Sequence, residues 1–219
     1  MHNPRPPQRQ AHRQHHSGRS ISRDDLINLP VRRYDGPVCL VTTLDELAQA
    51  AADIGQERVL GFDTETRPAF RKGEFHLPCL VQVATARTVY LFQLRREETR
   101  PVLADLLQSA TRIKTGISLN DDLRTLRQVF AFTEQNMLDL GKVARHCGYA
   151  QTGVRNLAGL FLGFRIPKGA STSNWAAPQL TPAQITYAAT DAWVCRELFL
   201  KFENLGLLCD PSVAAHPQI

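Results

Sequence analysis

Val59-Leu60-Gly61-Phe62-Asp63-Thr64-Glu65 is an apolar run that closes on two acids. Its content of valine, leucine and phenylalanine predicts a strand over Arg58–Glu65. Strand side chains alternate, so Asp63 and Glu65 project from one face, about 7 Å apart along the chain. At the end of an apolar strand the two carboxylates repel each other and lose hydration; a bound dication removes both penalties. An ordinary strand-end pair facing water satisfies the same pattern, so the D-x-E pair leaves both readings open.

The flanking segments supply the rest of a sheet. Val38–Thr42 reads as a short strand, and Thr43 with Glu46 forms a T-x-x-E box before a helical run Leu44–Ile54. Leu80–Ala84 and Thr88–Leu94 read as a hairpin turning near Ala86. A helix over Glu97–Gln108 and a strand over Arg112–Ile117 follow, then helices near 119–130, 138–147, 153–163 and 182–204. Early strands followed by a helix–strand–helix passage predict an α/β domain with a mixed sheet flanked by helices.

Two further acids stand out by helical position. In Gly116-Ile117-Ser118-Leu119-Asn120-Asp121-Asp122-Leu123-Arg124-Thr125-Leu126, the residues Leu119, Leu123, Leu126 and Phe130 form an apolar stripe that contains Asp122. Asp121 shares the opposite face with Arg124, and Ser118-x-x-Asp121 matches a capping pattern. The expectation is therefore an inward Asp122 and a capping Asp121; favourable interaction of both acids with the helix dipole is the plainer alternative. On the last helix, Thr181-Pro182-Ala183-Gln184 is a strong start signal. Asp191 is the only charge in residues 185–195, and Tyr187 lies one turn before it on the same face. A lone carboxylate on a nearly all-apolar helix is neutralised, paired or metal-bound.

The net charge of +5 is carried by the N-terminal stretch. Residues 1–23 hold Arg5, Arg9, Arg13, Arg19 and Arg23 and no acid, leaving 21 basic against 21 acidic residues elsewhere. Rich in Pro, Gln, His and Arg, residues 1–24 are expected to form a disordered basic tail, either steering toward phosphates or merely solubilising. The expected domain is 25–210, with a short tail over 211–219. The five cysteines make no C-x-x-C pair, so neither a zinc site nor a disulfide framework is indicated, and a cytoplasmic address is expected. No bilayer-spanning stretch or signal-peptide pattern is present, so no membrane partner is expected.

Together, Asp63-x-Glu65, Asp122 and Tyr187-x-x-x-Asp191 resemble the motifs of the DEDD superfamily of 3′–5′ exonucleases, in the subgroup with tyrosine in its last motif. Leu60–Glu65, Leu80-Val81-Gln82-Val83-Ala84, Ser173-Asn174-Trp175 and Leu180–Ala192 resemble the Werner-syndrome-type exonuclease domain over about residues 38–205, and ribonuclease D more distantly. The resemblance implies a ribonuclease H-like fold with the four carboxylates at one sheet edge and two divalent metal ions, Mg²⁺ or Mn²⁺. Asp63 would bridge the ions, Glu65 and Asp191 complete the first, Asp122 serve the second, and Tyr187 orient the attacking water. The implied reaction is release of nucleoside 5′-monophosphates from the 3′ end of single-stranded or 3′-end nucleic acid.

DNA is the favoured substrate; ribonuclease D-like RNA trimming and a non-catalytic nucleic-acid-binding protein are the alternatives. No second helical RNA-binding domain is expected after residue 205, which weighs mildly against ribonuclease D-like trimming. Thr64, Arg67, Arg71, Lys72, Arg124, Lys168 and Trp175 are the candidate nucleic-acid contacts, with solvated loops or packing as the plain alternative for each. Arg124 stands where some relatives carry an aromatic. Asp139 is read as a helix N-cap or a support to the ligands. A separately encoded helicase is a conceivable partner, and the residues specify no oligomeric state.

Overall fold

The computed structural model describes residues 19–71 and 73–208. Six strands form one sheet in the order β1-β4-β3-β2-β5-β6: β1 (Val38–Leu40), β2 (Val59–Thr66), β3 (Pro78–Ala84), β4 (Val89–Gln93), β5 (Ile113–Gly116) and β6 (Met137–Asp139). The β2–β3 and β3–β4 pairs are antiparallel and the other three pairs parallel, so the sheet is mixed, as expected.

Helices cover both faces because β2 is apolar on both. Leu60 and Phe62 pack with Val81, Val83 and Phe92 against α2 (Leu44–Gln56), α3 (Arg100–Gln108) and α4 (Leu119–Leu126). On α2 the buried Leu47, Ala50 and Ile54 make a stripe at helical spacing, and the Thr43–Glu46 capping box closes its start. The odd-numbered residues of β2 face the other way, toward α7 (Pro182–Asn204). There Leu80, Ala84 and Leu91 meet Ala188, Ala189 and Ala192. Small residues on α7 bring it close to the sheet. A Cβ added at Gly61 would lie 1.9 Å from the Ala192 carbonyl oxygen, so the helix backbone rests on β2 where glycine leaves room. Thr181 and Gln184 make a second capping box at the start of α7, with Pro182 in the first turn.

Three expectations change. Residues 19–24 are not all tail: Ile21 is buried, its amide donates to Gln151 Oε1 at 2.9 Å, and Ser22 caps α1 (Arg23–Asn28). A single isoleucine makes no periodic pattern, so composition alone carried the boundary too far. The basic and His-rich residues 1–18, and residues 209–219, lie outside the described residues. The helix expected over 138–147 begins with the edge strand β6 and becomes α5 (Leu140–His146); three residues are too few to show alternation. The helix expected over 153–163 is α6 (Val154–Leu157) followed by a widened turn at Ala158–Leu162. Among the described residues no helix is long and apolar enough to cross a membrane.

Candidate active site

Asp63, Glu65 and Asp191 meet at the end of β2. Each offers a carboxylate oxygen, and these oxygens all lie within 4.8 Å of one another. Strand alternation aims the first two at α7, and the close seating of α7 on Gly61 lowers Asp191 onto them. Glu65 and Asp191 are buried, at 9% and 7% exposure. Between Glu65 and Thr66 the register shifts, and the chain then leaves the sheet.

Asp122 stands apart from this triplet. Thr64 lies between the two strand acids and points to the opposite face, where its hydroxyl donates to Asp122 Oδ1 at 3.0 Å. Thr64 therefore ties the fourth acid to the same strand end from the other side.

The electrostatics of the four acids are unfavourable as they stand. Burial, then the charges of Asp191, Glu65 and Asp122, push Asp63 well above the usual carboxylate range. Burial and the charges of Asp191 and Asp122 raise Glu65 to about 9. Burial raises Asp122 to about 6 against the opposing Thr64 hydrogen bond. Asp191 is likewise raised by burial to about 6, although the Tyr187 hydrogen bond and the charge of Arg155 pull it down. Buried like charges of this kind are tolerable when protonated or when they share a cation. The residues fit a divalent metal: hard oxygen donors, close together, with their charge only partly offset by Arg155.

Tyr187 completes the arrangement. Its phenol is pushed above its ordinary value by burial and by Asp191, so it is a neutral hydrogen-bonding group at working pH. Gly169 lies flat against its ring: a Cβ there would come within 2.1 Å of Tyr187 Cδ2. Lys168 is exposed and next in chain to that contact. Arg67 and Arg71 are exposed on the loop after β2, and Lys72 lies outside the described residues.

One expected contact is corrected. Trp175 is 1% exposed, its ring 6.0 Å from that of Tyr187, packed among Leu80, Leu180 and Ala188. It backs Tyr187 and has no face free to stack on a base. Arg124 is exposed on α4, where it pairs with Asp121 at 3.2 Å.

The cap of α4 is also different from expectation. Ser118 is left-handed, with φ 63°, and makes no side-chain cap; Asp121 is exposed. The cap comes from Asp139, whose Oδ2 accepts the Leu119 amide at 3.2 Å while Oδ1 accepts those of Gly141 and Lys142 at 2.9 and 3.2 Å. One carboxylate thus caps both α4 and α5, and Lys142 Nζ, 2.8 Å from Asn120 Oδ1, clamps the same first turn that carries Asp122. Asp139→Ala removes two caps, about 1 kcal/mol each, and is expected to lower Tm by about 4–8 °C at this chain length. Calorimetry checks this, and an unchanged Tm would show that Asp139 holds neither helix start.

Sequence reading missed Arg155. On α6, its Nε is buried without a partner among the described residues, and its charge reaches Asp191. The signal that could have found it is the one used for Asp191, since Arg155 is the sole charge in residues 153–163.

A family model described as 3'-5' exonuclease matches residues 38–206. The mouse "Bifunctional 3'-5' exonuclease/ATP-dependent helicase WRN" is 28% identical over 189 residues, covering 82% of this chain and 14% of that protein. A Gluconacetobacter diazotrophicus "Ribonuclease D" is 28% identical over 170 residues, covering 76% of this chain and 42% of that protein. The chain thus spans between about a seventh and two fifths of the length of these curated relatives. The crystal structure of the Aedes aegypti Nibbler EXO domain superposes with a TM-score of 0.70 at 23% identity, covering 82% of this chain and 92% of that one. At that identity the superposition shows a shared fold.

Proposed function

The chain belongs to the 3'-5' exonuclease domain family, and on that premise we propose that it hydrolyses the terminal phosphodiester bond at the 3′ end of a nucleic-acid strand, releasing nucleoside 5′-monophosphates. One observation carries the reading: Asp63, Glu65 and Asp191, from a strand and a distant helix, bring three buried or half-buried carboxylates within 4.8 Å.

The family is divalent-metal dependent, and the proposed cofactors are two Mg²⁺ or Mn²⁺ ions. Asp63, Glu65 and Asp191 would hold one, and Asp63 with Asp122 the other. Bound there, the ions supply an activated water and neutralise charge at the departing 3′ oxygen. The chain's own groups do the positioning. Thr64 fixes Asp122 by its hydrogen bond. Tyr187 keeps its proton, so it orients the attacking water and Asp191 and does not serve as a base. Trp175 and Gly169 hold the Tyr187 ring between them.

Tyr187→Phe is expected to lower kcat by about 10²-fold, the cost of losing one positioned hydrogen-bonding group, with substrate KM within about threefold. Steady-state assays from pH 6 to 9 check this; a rate that rises with pH in the wild type and is flat in the variant would make Tyr187 a titrating base.

The substrate we favour is DNA. Equal 28% identity to the mouse and the Gluconacetobacter proteins supports RNA 3′ ends as the second reading. Matched 5′-labelled single-stranded DNA, recessed duplex DNA and single-stranded RNA, each with Mg²⁺ or Mn²⁺, separate the two. Failure to shorten any of them, in a folded protein, would sink the exonuclease proposal. Cys39, Cys79, Cys147 and Cys195 are free thiols, which supports a reducing, cytoplasmic setting.

A further inference from the structure

Seven large apolar side chains are exposed among the described residues, and three of them, Phe70, Phe75 and Leu77, fall within eight residues of one loop. The other four are Ile27, Val31, Leu44 and Leu205, none of them aromatic. Phe70 is 82% exposed and Phe75 58%. This loop joins β2 to β3 and leaves the sheet directly after Glu65 and Thr66.

The loop tip is built. The Glu74 amide donates to the Arg71 carbonyl at 3.0 Å, and Gly73 takes φ +85°, a conformation suited to glycine. Glu74 Oε2 accepts the amides of Phe70 and Arg71 at 2.9 and 3.2 Å, and Oε1 lies 2.9 Å from His76 Nε2. The sole acid of the loop is therefore consumed in holding its shape. In the chain Phe70 precedes and Phe75 follows this braced stretch. Arg67 and Arg71 are exposed and, among the described residues, have no acidic partner.

We infer that Phe70 and Phe75 of this Glu74-braced loop form a stacking platform for single-stranded nucleic acid, engaging the substrate strand upstream of the nucleotide being removed. Exposed aromatics interleaved with unpaired guanidiniums fit a flexible polyanion whose bases offer π-faces. A protein partner gains less from the basic groups. The inference rests on the exonuclease reading and adds to it a subsite beyond the reacting phosphate. Phe70 is five residues past Glu65, so a fully extended chain places it at most about 18 Å away. At about 3.4 Å per stacked nucleotide, the platform meets the strand within about the first five nucleotides from the 3′ end.

The test is length dependence. The double variant Phe70→Ala, Phe75→Ala is compared with wild type on a dinucleotide and on a single strand of about twelve nucleotides. Expected is a fall in kcat/KM on the longer strand of about 10- to 100-fold, carried by KM, with the dinucleotide rate unchanged and Phe70→Trp with Phe75→Trp restoring the loss. An equal loss on both substrates shows a disturbed fold, and no loss on the longer strand shows an idle loop; either overturns the platform. If wild type shortens nothing, the exonuclease reading fails by itself. Fluorescence anisotropy of the labelled strand in calcium then decides the platform. Binding weakened by the same factor supports it. Absent or unaltered binding, including loss of self-association alone, overturns it.

Discussion

Asp63→Asn is expected to reduce nucleotide release by at least about 10³-fold while raising the Tm of the metal-free protein. The two effects have one cause. Asp63 is the carboxylate on which the charges of Asp191, Glu65 and Asp122 all act. Exchanging it for an isosteric amide removes the donor that the proposed ions share, and metal stabilisation of the reacting charge amounts to several kcal/mol, with each 1.36 kcal/mol worth about tenfold. The same exchange deletes a buried like-charge contact, so the folded state gains where the chemistry loses. Single-turnover rates on a 5′-labelled oligonucleotide and calorimetry in chelator measure both. A lower Tm in the variant would mean that Asp63 is held by favourable partners, contrary to the cluster described above.

The second large effect is a stability that falls with pH and is reversed by metal. Glu65 is held at about 9 in the folded state, by burial first and then by Asp191 and Asp122, against about 4.3 for a free glutamate. The folded metal-free protein keeps a proton that the unfolded chain has released. That stability is fully present below about pH 4.3 and is lost as pH rises toward about 9. Asp122 and Asp191, each raised to about 6, lose their contributions earlier, between about pH 4 and 6. In chelator, Tm therefore declines from pH 5 to 9. A divalent ion at a hundredfold excess over its Kd adds about 2.7 kcal/mol, or about 5–10 °C at this size. Its benefit is greatest at alkaline pH and vanishes near pH 4, where the acids are protonated. Thermal melts with Mg²⁺, Mn²⁺ or chelator across this range are decisive: a metal gain equal at pH 5 and pH 8 would contradict the carboxylate origin.

Much of this was legible because local rules and tertiary structure agree. The Thr43–Glu46 and Thr181–Gln184 boxes are present as read, since each is closed by groups three residues apart. Period-two alternation correctly put Asp63 and Glu65 on one face, and helical spacing put Tyr187 beside Asp191. What escaped is non-local. The Ser118–Asp121 pattern is a correct capping signature that loses to Asp139, twenty residues away, because Ser118 is left-handed and cannot present its hydroxyl to the helix. Trp175 looks like a stacking residue until α7 and β3 enclose it. β6 is too short for any period, and its partner β5 is what makes it a strand. Arg155 was passed over because a charge on a helix ordinarily faces water, whereas here its Nε is buried.

The contact between Gly61 and the Ala192 carbonyl has a consequence for precision. The gap between the strand acids and Asp191 is gauged by main chain resting on main chain, with no side chain acting as a spacer. Rotamer hopping, the softest motion in a folded protein, has no purchase on that joint. A methyl shim at residue 61 would jack the whole helix outward and carry Tyr187 and Asp191 away as one piece.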